Sequence, residues 1–204
     1  MEKEQENILM KIRSSRACLG DGYQLFSANF RVVFCRTWPV ALVFAVLAAV
    51  ASALPVLVSP ALTLPSMLQA TICVIALLWV VRHILYKYKF FLPTGPVKAA
   101  AWLRHLGPVL LVGTVCLFVV AMLTLFTALP TIIMMAANWQ SEIGVLNGDP
   151  AGMPSYVFWL SIVAFLIAGF IQAYVWTSVL FPLYLSRCSI AMQERDRQEF
   201  ITNI

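Results

Sequence analysis

WPVALVFAVLAAVASALPVLV, Trp38 to Val58, contains no charged side chain. A helix crossing the hydrocarbon core of a bilayer needs about 20 mainly apolar residues, so this stretch reads as a spanning helix. Three further stretches qualify in the same way: roughly Ser66–Tyr86, Pro108 to about Ala136, and about Pro154 to Tyr184. The predicted fold is an all-α integral membrane protein with four transmembrane helices, at about 38–58, 66–86, 108–136 and 154–184. The last two exceed a bare span, which is accommodated by tilt or by projection beyond the lipid.

Composition leads to the same reading. Of 204 residues, 61% are hydrophobic and 11% charged, against about 25% charged in soluble domains. Such a chain cannot cover an ordinary water-facing surface. The net charge of +5 fits anionic headgroups on the cytoplasmic side, and no nucleic acid is expected as a partner.

Cations give the expected direction. Lys3, Lys11, Arg13, Arg16, Arg31 and Arg36 precede the first span. Arg82, Lys87, Lys89, Lys98 and Arg104 fall between the second and third, and Arg187, Arg195 and Arg197 follow the fourth. The remaining connections, VSPALTLP and NWQSEIGVLNGDPAGM, contain no Lys or Arg. Both termini are therefore expected in the cytoplasm, in an inner or plasma membrane. ASA at Ala51–Ala53 resembles a signal-peptide cleavage site. The acidic Glu2, Glu4, Glu6 and Asp21 upstream are unlike a short basic leader.

Working outward, RTWP at Arg36–Pro39 has an echo in WLRHLGP at Trp102–Pro108. ALP occurs at Ala53–Pro55 and again at Ala128–Pro130. Read together, these predict a tandem parallel repeat of an interfacial helix plus a two-span hairpin. Proline is tolerated in a first helical turn, and both ALP motifs read as turns. The competing account is that any two spans entering from the cytoplasm look alike. One membrane domain over 1–204 is expected. It comprises a cytoplasmic segment at 1–37 with an amphipathic helix about 22–36, hairpins at 38–92 and 93–186, and a cytoplasmic tail at 187–204. Whether Tyr23–Phe34 lies in the interface or extends the first span is open from the sequence.

Chemistry-bearing residues are few. The deep span interiors hold no ionisable group, which counts against a proton relay. Arg36, Trp38, Arg82, Trp102, Arg104 and Arg187 are expected as interfacial anchors. Gln69 and Gln172 are intramembrane polar residues, and Gln172 is read as a hydrogen-bonding link between helices. Ala41, Ala45, Ala49 and Ala53 form one smooth stripe; Ala164, Ala168, Gly169 and Ala173 form another. Both are read as packing surfaces between spans rather than between copies. Glu142 and Asp149 fit a solvated loop. Met122, Met134, Met135 and Met153 fit packing better than soft-metal ligation. The five cysteines, in no metal-ligating spacing, read as small apolar fillers. No phosphate loop, nucleophile elbow or HExxH is present. No enzyme activity, cofactor or metal is therefore expected.

Two classes of function remain. The first is a non-enzymatic structural or accessory subunit, or scaffold, of a membrane complex, with a protein partner or a second copy. The alternative is a small transporter or pore for a neutral or lipidic solute. A polar-lined path near Gln69, Thr71, Thr114, Thr124 and Gln172 is expected of a transporter. Tight small-residue packing without a cavity is expected of a scaffold.

Overall fold

The computed structural model describes residues 11–91, 99–148 and 155–202. In chain order the helices are α1 (Ser15–Ala28), α2 (Phe30–Ala53), α3 (Thr63–Lys87), α4 (Ala99–Arg104), α5 (Leu106–Leu146), α6 (Ser155–Ser178) and α7 (Leu180–Thr202). Four stretches are long and apolar enough to cross a membrane: α2, α3, α5 and the continuous run Trp159–Thr202. By that criterion the chain is a multi-pass α-helical membrane protein, and no strand occurs among the described residues.

Surface polarity is inverted relative to a soluble domain. Leu68, Ile72, Ile75 and Trp79 on α3, Phe118 and Phe126 on α5, and Trp159 and Leu160 on α6 are all exposed. The buried polar side chains described are all Ser or Thr. A small hydroxyl can return its proton to its own helix, so its burial costs little. Ser66 Oγ donates to the Leu62 carbonyl (2.7 Å) and Ser161 Oγ to that of Val157 (2.6 Å).

Helix boundaries depart from the sequence reading in ways that have local causes. Tyr23–Phe34 is neither one in-plane helix nor wholly part of the span. The expected helix about 22–36 is divided at Asn29, whose side-chain amide donates to the Leu25 carbonyl (3.0 Å) and ends α1. Phe30 then opens α2, so this helix starts eight residues before Trp38. Pro39 consequently sits inside α2 rather than in its first turn, whereas Pro108 does lie in the first turn of α5. The two ALP motifs also differ. After Ala53 the chain forms a π-helical turn, Leu54–Val58, then a 3-10 turn, Pro60–Leu62, and reverses. Ser59 is extended (φ −163°, ψ 135°) and donates its N–H to the Leu54 carbonyl (3.2 Å). At the second ALP the helix continues past Pro130 to Leu146. Pro60 and Pro65 follow the first motif closely; TIIMMAANWQ follows the second and propagates helix. Matching letters therefore occupy unlike structural positions. The third span, placed at 108–136, lies in a helix of 41 residues, about 61 Å at roughly 1.5 Å per residue. Past Leu146 the chain leaves the helix, with Gly148 at φ +90°, while Asp149 and Met153 fall outside the described residues. The fourth span, placed at 154–184, contains the boundary between α6 and α7 at Val179.

Two compact units are present, and their limits differ from those of the hairpins. One comprises Met1–Arg36, Arg82–Val120 and Thr177–Ile204; the other comprises Thr37–Val81 and Ala121–Trp176. The twelve described Lys and Arg all fall in the first unit and none in the second, while Lys3 and Lys98 lie outside the described residues.

In the cation-bearing unit, α1 packs on α7. Gly22 lies so close to Pro182 that an added Cβ would stand 2.6 Å from the proline Cα. Ser189 Oγ accepts from the Arg13 N–H (2.9 Å) and donates to its carbonyl (3.1 Å), fastening the approach to α1. The C-terminus of α3 closes with the Lys89 N–H on the Tyr86 carbonyl (3.0 Å) and the Phe90 N–H on that of Leu85 (2.9 Å). This is a Schellman closure with Lys89, at φ 53°, where glycine is usual. It brings Phe90 and Phe91 to Phe181, at ring separations of 5.7 and 5.3 Å, and stacks Phe91 on Tyr184 at 4.2 Å.

Candidate functional site

In the cation-free unit, the two small-residue stripes meet. Ala41, Ala45 and Ala49 on α2 are buried, as are Gly169 and Ala173 on α6; Ala53, Ala164 and Ala168 are half-buried. Gly169 makes the closest approach: a Cβ there would lie 3.0 Å from the Ala45 carbonyl oxygen and 3.1 Å from its Cα. Ala49 and Phe165 form a small core, with Ala53 and Met134 packed against it.

Close packing does not extend throughout. A cavity of about 680 Å³ opens in the same unit, within the 300–1,000 Å³ typical of small-molecule sites. All four apolar helices line it: Phe44, Ala48 and Ser52 from α2, Thr71 and Val74 from α3, Thr124 and Thr127 from α5, and Gln172 and Trp176 from α6. Most of the wall is aliphatic or aromatic, and no charged residue contributes to it.

On its polar side three residues from two helices are hydrogen-bonded to one another. Gln172 Nε2 donates to Thr124 Oγ1 (2.6 Å), and Thr127 Oγ1 donates to Gln172 Oε1. Thr124 and Thr127, one turn apart on α5, therefore clamp one amide of α6. The Thr127 hydroxyl has only one proton, and the Thr124 carbonyl (3.0 Å) and the Leu123 carbonyl (3.2 Å) are alternative acceptors for it. A ligand group can thus be accepted by rearranging this cluster without breaking a helix. Thr71, also on the wall, returns its hydroxyl to the Met67 carbonyl (2.9 Å). Gln69 does not line the cavity; its amide makes a long contact (3.4 Å) with the Leu47 carbonyl. Thr114 belongs to the other unit and is not part of the wall.

The expected anchors have four kinds of surroundings. Arg36 lies over the Tyr88 ring at 3.8 Å. Arg104 pairs with Glu194 (3.3 Å), and His105 approaches the same carboxylate (3.6 Å). Arg82, Trp102 and Arg187 share a smaller cavity of about 310 Å³ in the cation-bearing unit. Trp38 is exposed. Among the described residues, no three His, Cys, Asp or Glu side chains stand together as a metal-holding group. All five cysteines are free thiols.

The sequence reading named Thr71, Thr124 and Gln172 but missed Thr127, Thr131 and Ser66, which also line the large cavity. The spacing of Thr124, Thr127 and Thr131 at three and four residues on an otherwise apolar helix was the available signal. Comparison with known proteins finds no matching family model, no matching curated protein and no matching solved structure.

Proposed function

We propose that this protein is a non-enzymatic carrier or facilitator that accommodates a neutral, mainly apolar solute of lipid-like character between its four spanning helices. The observation that carries the reading is the cavity of about 680 Å³, apolar over most of its wall, with Thr124, Thr127 and Gln172 linked across two helices and further Ser and Thr hydroxyls beside them. Its size and its one cluster linked between helices suit an extended apolar molecule with a hydrogen-bonding group, since Ser66 and Thr71 return their hydroxyls to their own helix. The absence of charge from the wall disfavours an ionic solute, because a buried ion without a partner is costly. Both termini are assigned to the cytoplasmic side of a cell membrane. This is supported by the collection of the twelve described cations in one compact unit.

The accessory-subunit reading retains one specific support. Phe200 and Ile201 are exposed near the end of α7 beside the exposed Arg195–Glu199 pair, a mixed face that a partner helix could cover. It does not account for the cavity.

Native mass spectrometry of protein released from mild detergent tests the proposal. The expected spectrum contains a retained neutral lipidic species, distinguished by mass from any anionic phospholipid. That species is lost when Ala128, on the cavity wall, is replaced by Trp, and kept when Gly113, whose Cβ position is open, is replaced by Ala. Retention unchanged by Ala128→Trp, or a spectrum holding only a stoichiometric protein partner, would overturn it.

A further inference from the structure

The smaller cavity is built differently from the large one and raises a separate question. Arg82 and Tyr86 stand one turn apart on α3; Tyr184 and Arg187 stand one turn apart on α7. The stacking of Phe91 on Tyr184 brings the end of α3 to α7. Trp102 from α4 and Ser186 complete the polar and aromatic lining, while Val109 and Leu180 supply an apolar wall. Arg82 is exposed at the rim, its guanidinium 5.5 Å from the Tyr86 ring. Arg187 is half-buried, and its Nε is fully buried with no hydrogen-bond partner among the described residues.

That orphan donor needs an explanation. A buried guanidinium N–H without an acceptor loses its hydration and gains nothing in return. Among the described residues no carboxylate lines the cavity, and Glu194, on the same helix, is engaged by Arg104 and His105. Two arginines from different helices line one cavity where no anion among the described residues answers them.

We propose that this cavity binds a phosphate group, presented between Arg187 and Arg82. The planar fork of arginine matches phosphate oxygens, and Tyr and Trp beside it are the side chains that favour headgroup depth. The apolar wall and the position at the ends of spanning helices favour an anionic phospholipid as the source, since basic pockets between such helices take anionic headgroups. This site is independent of the solute reading of the larger cavity.

The full chain purified in a neutral detergent provides the test, with bound phospholipid counted by native mass spectrometry and thermal stability measured alongside. Phosphatidylglycerol is expected to be retained and to raise the melting temperature, whereas phosphatidylcholine at equal concentration is not. Arg187→Gln is expected to weaken retention about tenfold or more, as loss of a charge-assisted contact requires. Arg82→Gln is expected to weaken it less, and Arg16→Gln, at an exposed cation elsewhere, not at all. Stabilisation by inorganic phosphate or glycerol phosphate, with the same dependence on Arg187, would support the site and assign a soluble source. Retention equal for both lipids, or reduced as much by Arg16→Gln as by Arg187→Gln, would overturn it. Should Arg187→Gln not fold, Arg187→Lys and Arg82→Gln carry the comparison.

Discussion

Gly20 and Gly22 make a matched pair on α1, and replacing each with alanine tests the α1–α7 contact directly. At Gly22 the new methyl would stand 2.6 Å from Pro182 Cα, 2.7 Å from its backbone nitrogen and 2.8 Å from its Cγ. Carbon atoms pack at about 3.5–4.0 Å, so the deficit is roughly 1 Å. Two of the three clashing atoms are backbone, so no rotamer change relieves them. α1 and α7 must separate, and a gap of about 0.5–1 Å forfeits a quarter to a half of each dispersion contact across it. The Phe26–Phe181 ring contact at 5.2 Å and the Arg13–Ser189 pair lie on the same seam. Gly20 has nothing within 4 Å of its Cβ position. Both substitutions gain the same helix propensity, about 1 kcal/mol, so their difference isolates the steric term. Overpacking of this kind costs about 1–3 kcal/mol. Unfolding in mixed micelles, followed by loss of helicity, should place Gly22→Ala below Gly20→Ala by that amount, with Gly20→Ala at or above wild type. Equal midpoints for the two variants would refute the close approach of the helices.

Other expectations concern separate parts of the molecule. Lys89→Gly should stabilise the chain by about 1 kcal/mol, because it removes the cost of a side chain at positive φ; Lys89→Val should destabilise it, read from the same unfolding midpoints. Gln172→Leu should change stability by no more than about 1 kcal/mol, since hydrogen bonds between membrane helices contribute little net, yet it should reduce the retained lipidic species in native mass spectra. Burial pushes the Cys18 thiol above its usual range, so raising pH through the ordinary cysteine range produces little thiolate there. Cys18 should resist maleimide at pH 8 until the protein unfolds, while the exposed Cys35 reacts in the folded state. In a background lacking the native cysteines, Ser59→Cys and Lys87→Cys should label from opposite sides of the membrane; labelling from one side would remove the topology on which the orientation rests.

Membrane residence, the all-helical class and the four long apolar stretches were legible in the sequence, because the bilayer imposes one-dimensional rules. A run of about 20 apolar residues must satisfy its backbone internally, and no distant contact is needed to know it. The alanine stripe from Ala41 to Ala53 was readable for the same reason: helical periodicity alone puts those residues on one face. What periodicity could not supply was where each helix stops and what each face meets. Asn29 ended a helix by a side-chain bond that composition does not announce. Two identical ALP motifs diverged because only the first had Pro60 and Pro65 close behind it. Tertiary structure alone brought Gln172 between Thr124 and Thr127, residues more than forty positions away, and gathered Arg82 and Arg187 around one cavity. Contacts between helices depend on rotation and crossing, which the length and hydropathy of a segment leave free. The surroundings of each polar side chain were therefore decided only when the helices packed.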